Sequence, residues 1–151
     1  MLFRFLNRVL NDYKIMDKEL WLKRQSEKIK LSPITEDNKE ALLKFIETRY
    51  LDIESNELSF IIKVISSLNF DINLKTMETE DMIKTFDVLN SLRWQYSATS
   101  FQTMKFYWKT FLKVMNSIYN LNLDVKAEFN KFNRAQRKKF ILIQKPIEVK
   151  T

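Results

Sequence analysis

The 151-residue chain carries a formal net charge of +7 and contains no Cys, His or Gly. The missing cysteines exclude disulfides and Cys-based zinc sites, and the missing histidines remove the commonest metal ligand and general base. Without glycine there is no glycine-rich phosphate loop, so the composition argues against an enzyme and predicts no cofactor and no metal.

Residues 1–33 are predicted to form a basic N-terminal helical arm that ends near Pro33. The side chains with the spacing of one apolar helical face are Tyr13, Met16, Leu20 and Trp21. Arg4 and Arg8 interrupt the apolar start, so no run reaches the ~20 apolar residues of a membrane span, and no signal-peptide pattern follows. We therefore expect a cytoplasmic protein without a membrane partner; a helix lying on a membrane surface is the less favoured alternative.

Residues 34–121 are predicted to form a helical domain. Its first helix begins after Thr35, a good N-cap, with Glu36 and Asp37 favoured at the positive end of the helix dipole. The second runs from about residue 55 to 68, the third begins after a cap at Thr79, and the fourth is "YSATSFQTMKFYWKTFLKVM", residues 96–115. Without glycine, Asn69 and Asn90 are expected to take left-handed positions.

Apolar periodicity predicts which side chains of these helices face inward. They are Leu42, Phe45 and Ile46 in the first helix; Leu58, Ile61, Ile62, Ile65 and Leu68 in the second; Met82, Ile83, Phe86 and Leu89 in the third; and Met104, Tyr107, Trp108, Phe111, Leu112, Met115, Ile118 and Tyr119 in the fourth.

Charge is unevenly distributed along the chain. Residues 1–34 have a net charge of +4, residues 35–121 of −2, and residues 122–145 of +5. Between Asp87 and Asp124 the only charged side chains are four cations: Arg93, Lys105, Lys109 and Lys113. Such segregation raises the local potential and favours a polyanionic partner.

The fourth helix combines an apolar face with lysines repeated every four residues and with Ser97, Thr99, Ser100 and Gln102 near its start. Hydroxyls, amides and a helix N-terminus suit phosphate binding. The competing interpretation is a row of lysines that only solvates a surface helix.

Residues 122–151 are predicted to form a basic C-terminal helix and tail. The cluster "RAQRKKF", residues 134–140, is typical of nonspecific nucleic-acid binding, and a solvated charged tail is the alternative. Stacking of bases on Tyr107, Trp108 and Phe111 is less favoured than core packing. The acid pairs Glu80–Asp81 and Glu54–Glu57 are better explained by capping and solvation than by catalysis.

Three segments in order resemble the N-terminal half of archaeal tyrosine recombinases, the integrases of the XerA-like group. They are "KELWLKRQSEKIKLSPITEDNKEALLKFIETRYL", "METEDMIKTFDVLNS" and "YSATSFQTMKFYWKTFLKVM". The resemblance covers about residues 17–115; in the last segment Tyr96, Ser97, Lys105, Lys109, Phe111 and Lys113 agree with the family, and Ser100 stands for its capping Thr.

The resemblance implies a compact four-helix, SAM-like bundle of the integrase core-binding type, which clamps one face of duplex DNA. It implies contacts from the fourth helix and, in the second, from Asn56, Ser59 and Lys63. Two features depart from the family. Asp52, Glu54 and Glu57 place acids where basic residues are usual, and the family's catalytic Arg, Lys, His and Tyr set has no counterpart.

The sequence therefore predicts a non-catalytic protein that binds double-stranded DNA, encoded by or derived from an archaeal virus or plasmid and linked to DNA recombination. The expected DNA-binding residues are Asn56, Ser59, Lys63, Arg93, Ser97, Thr99, Ser100, Gln102, Lys105, Lys109, Lys113, Lys131, Arg134, Arg137, Lys138 and Lys139. No small-molecule substrate is expected. The alternative is a helical interaction or homo-oligomerisation module that has lost DNA binding.

Overall fold

A computed structural model describes residues 2–49 and 52–149, with the side chains of residues 3, 11–16 and 138–149 outside that description. The described chain forms α1 (Leu2–Leu31), α2 (Glu36–Thr48), α3 (Ser55–Ser66), α4 (Thr79–Leu92), a short 3-10 helix (Arg93–Gln95), α5 (Ala98–Tyr119) and α6 (Val125–Val149). No strand occurs in the described residues, so the all-α class is confirmed there. The SAM-like integrase bundle stays a prediction.

Contacts divide the chain into two compact units, Met1–Lys75 and Thr76–Thr151. We call them unit 1 and unit 2 and describe each by itself. The predicted domains at 1–33, 34–121 and 122–151 stay predictions.

Unit 1 is organised around an apolar core shared by α1, α2 and α3. Leu22 and Ile29 of α1 are buried, as are the predicted inward residues of α2, Leu42, Phe45 and Ile46. The predicted apolar face of α1 is wrong at Leu20, which is half exposed. The side of this helix that packs into the core carries Leu22 and Ile29. Tyr13 and Met16 lie outside the described side chains.

Polar side chains fix the ends and the loop of unit 1. Thr35 caps α2 as predicted, since its hydroxyl accepts a hydrogen bond from the backbone N–H of Asn38 at 3.4 Å. The buried Asn38 amide donates to the Ile72 carbonyl at 3.0 Å and accepts from the Leu74 N–H at 2.9 Å. This one side chain thereby satisfies two backbone groups of the loop that follows α3.

Unit 2 packs α4, α5 and α6 around aromatic side chains. Trp108 and Phe111 of α5 are fully buried, which confirms core packing for them over base stacking. The Trp108 indole donates to the Thr85 hydroxyl of α4 at 3.0 Å. Phe86 of α4 stacks on Phe132 of α6 with ring centroids 5.1 Å apart, so part of the basic C-terminal helix belongs to this core.

Three local predictions for unit 2 need correction. Ile83 is 42% exposed because the buried stripe of α4 passes through Met82, Phe86 and Leu89 instead. The N-cap of α4 is Glu78, whose backbone N–H donates to Asp81 at 3.1 Å, so Thr79 is already inside the helix. Asn90, like Asn69 of unit 1, is not left-handed as expected. The left-handed residues are Asn120, which ends α5, and Asn122; among the described residues no other has positive φ.

Candidate nucleic-acid interface

The start of α5 has the geometry expected of a phosphate-binding helix end. Ser97 is the N-cap, and its hydroxyl accepts a hydrogen bond from the Ser100 N–H at 3.2 Å. Thr99, Ser100 and Gln102 are exposed beside it. No acid occupies the first turn, so the positive end of the helix dipole is not offset by a carboxylate of this turn.

Helices α5 and α6 run antiparallel, which determines which cations meet. Lys105 reaches Asn133 and Gln136, whereas four residues further along α5 Lys109 lies over the Phe129 ring. Increasing positions on α5 therefore face decreasing positions on α6. The short loop at residues 120–124, opened by the left-handed Asn120, makes this reversal possible.

The expectation that Lys105 forms part of an exposed lysine row is wrong, because its side chain is buried with 4% of its surface exposed. Its ammonium donates to Asn133 Oδ1 at 2.9 Å and to Gln136 Oε1 at 3.1 Å. Burial, and then the charges of Arg137 and Arg93, lower the pKa of Lys105 below its usual range. We call Arg93, Lys105 and Arg137 the cavity cluster, since all three line one cavity of unit 2.

The other two lysines of the predicted row remain accessible and are joined by a third. Lys109 is half-buried over the rings of Phe106 and Phe129, and Lys113 is exposed. Partial burial, and then Lys113 and Lys126, lower the pKa of Lys109. We call Lys109, Lys113 and Lys126 the ridge cluster.

Neither cluster is neutralised by acids of the protein within the described side chains: none of the six cations has a carboxylate oxygen within 4 Å there. Lysines elsewhere behave differently. Lys75 lies 2.9 Å from a carboxylate oxygen of Glu40, and Lys131 lies 3.2 Å from one of Glu128. The predicted DNA-binding residue Lys131 is thus partly neutralised.

The remaining predicted residues fall into separate groups. Asn56, Ser59 and Lys63 are exposed on α3 of unit 1, at the spacing of one helical face. Arg134 is exposed on α6 in unit 2. Lys138 and Lys139 lie outside the described side chains.

The acids near the start of α3 contribute less free negative charge than the sequence suggests. Glu57 of α3 is buried at 2% exposure and pairs with Arg49 at 2.5 Å. Its charge is therefore offset inside the protein, whereas Asp52 and Glu54 are exposed.

Sequence reasoning missed three residues of this surface: Lys126, Asn133 and Gln136. Lys126 lies in residues 122–145, which have a net charge of +5, so the charge pattern is a sufficient signal for it. Asn133 and Gln136 act through contacts with another helix, which no local pattern reveals.

No family model, curated protein or solved structure matches this chain. Within the described residues, none of the helices combines the length and apolarity needed to cross a membrane.

Proposed function

We propose that this chain binds duplex DNA without catalysis, and that α5 and α6 supply the cations that contact the phosphate backbone. The observation that carries the proposal is the crowding of like charges on these two helices. Two lysines have a lowered pKa partly because other cations surround them. A polyanion relieves that repulsion on binding, and the free energy released favours the complex.

The start of α5 supports phosphate as the bound group. Ser97 and Ser100 place hydroxyls at a helix end whose dipole favours anions, and Lys109 and Lys113 follow on the same helix. The resemblance to the DNA-binding half of archaeal tyrosine recombinases supports duplex DNA as the carrier of those phosphates. An origin in an archaeal virus or plasmid is part of the same proposal.

Salt dependence tests this function. Blunt duplexes of two unrelated sequences are titrated with the protein at low and at physiological salt. We expect affinity for both to fall steeply and equally as salt rises, because each neutralised phosphate releases counterions. Affinities that do not change between low and physiological salt, or no binding at low salt, would contradict the proposal.

A second function, self-association or binding of another protein, is favoured by one observation in α1. Leu2, Phe5, Leu6 and Leu10 are exposed apolar side chains, and their spacing places them along one side of the helix. The mass in solution, measured by light scattering for the protein and for Leu6→Lys, tests it. A multimer that the substitution converts to a monomer supports self-association, whereas a monomer for both leaves only a different protein as partner.

A further inference from the structure

A cavity of about 620 Å³ opens in unit 2 beside the first turns of α5. The 3-10 helix, α5 and α6 all contribute side chains to it. Its volume lies in the range of sites that hold small organic ligands. The cavity is therefore large enough for a planar ring together with an attached group.

Aromatic side chains line the cavity, and two of them are exposed to solvent. Trp94 lies in the 3-10 helix with 79% of its surface exposed, although the other tryptophan of unit 2, Trp108, is fully buried. Phe106 is also more than half exposed, and the buried Phe101 lines the cavity as well. Exposed indole and phenyl faces are surfaces on which nucleobases stack.

The cavity cluster contributes positive charge to the same cavity. Lys105 is held by the neutral oxygens of Asn133 and Gln136, and Gln136 is itself fixed by donating to Asn90 Oδ1 at 3.2 Å. These amides accept two hydrogen bonds from the ammonium but do not offset its charge. Arg93 and Arg137 add two more cations, so the cavity is preorganised for an anion.

We propose that this cavity binds one unpaired nucleotide of a nucleic-acid strand, with the base against Trp94 and its phosphate at Arg93, Lys105 and Arg137. The proposal rests on the proposed function and deepens it, since it adds a preference for unpaired over fully paired DNA. A base inside a duplex is stacked between its neighbours and cannot reach Trp94. A gap or a single-stranded overhang presents such a base without the cost of unpairing.

The test compares a blunt duplex with the same duplex carrying a short single-stranded overhang, by fluorescence anisotropy. The variants are Trp94→Ala and, as matched control, Phe70→Ala, which removes another highly exposed aromatic side chain from unit 1. We expect the wild-type protein to prefer the overhang duplex. Trp94→Ala is expected to weaken overhang binding about 5- to 150-fold, which is the range of one base–aromatic stack. Phe70→Ala is expected to change neither affinity. Blunt-duplex affinity stays the same in both variants.

The other outcomes are equally decisive. Equal affinity for both duplexes, with no effect of Trp94→Ala, overturns the cavity proposal and leaves the proposed function standing. Binding of neither duplex overturns both. A further arm adds free nucleoside monophosphate as competitor: if it binds in a Trp94-dependent way while the overhang has no effect, the ligand is a free nucleotide and the proposal for a strand is wrong.

Discussion

The ammonium group of Lys105 donates to the side-chain oxygen of Asn133 at 2.9 Å, so a buried cation of α5 is held by an amide of α6 and not by a carboxylate. A buried charge without a counterion is costly, and proteins rarely retain one for stability alone. Perturbed ionisable groups concentrate at functional sites. The contact therefore links the packing of α5 on α6 to the proposed anion binding.

The lowered pKa of Lys105 predicts how stability depends on pH. Because the folded state binds this proton less tightly than the unfolded chain, the free energy of unfolding gains from Lys105 as pH rises through its folded pKa. Lys105→Met removes that gain, so its stability relative to the wild type falls between neutral and alkaline pH. Urea unfolding across this range measures the difference, with the exposed Lys84→Met as control. Parallel pH curves for wild type and Lys105→Met would contradict the assignment.

The Arg49–Glu57 pair predicts a large effect of removing its cation. Arg49→Met leaves the carboxylate of Glu57 buried without a partner, which costs about 3 kcal/mol of unfolding free energy. Lys131→Met breaks the more exposed pair with Glu128 and is expected to cost less than about 1 kcal/mol. Urea-unfolding midpoints compare the two variants. Equal losses would show that the burial of Glu57 has no energetic consequence.

The hydrogen bond between Trp108 and Thr85 predicts a cost for losing one hydroxyl. Thr85→Val leaves the buried indole N–H without its acceptor and is expected to destabilise unit 2 by about 1–3 kcal/mol. Thr48→Val is a matched control, because the Thr48 hydroxyl bonds only within its own helix at an exposed site. Thermal unfolding of both variants measures the difference, and an unchanged transition for Thr85→Val would refute the role of this bond.

Helical periodicity predicted the all-α class and most of the buried positions correctly. The start of α2 at a Thr35 cap and the burial of Phe45, Trp108 and Phe111 follow from local rules of capping and apolar spacing. The misassigned cap at Thr79 differs by one residue, since both a glutamate and a threonine precede the apolar run there. Local preference alone does not choose between them.

The candidate site was harder to predict because tertiary contacts decide it. Lys105 stands four residues after Phe101 and three before Trp108, so its position lies on the buried stripe of α5, which was visible in the spacing. Because the residue is a lysine, the sequence favoured a position on the solvent-exposed face of α5 instead. Only the presence of Asn133 and Gln136 on the facing helix makes burial of the ammonium tolerable, and no single-helix pattern reports that.

The most direct measurement of the central claim is the salt dependence of duplex binding for a ridge-cluster variant. Lys109→Ala with Lys113→Ala is compared with Lys44→Ala with Lys84→Ala, which removes two charges from exposed positions outside both clusters. We expect the ridge variant to weaken binding equally on unrelated sequences and to reduce the slope of log affinity against log salt by about 2, one for each lost phosphate contact. The control keeps the wild-type slope. Identical slopes for all three proteins, or an equal reduction in both variants, would contradict binding through α5.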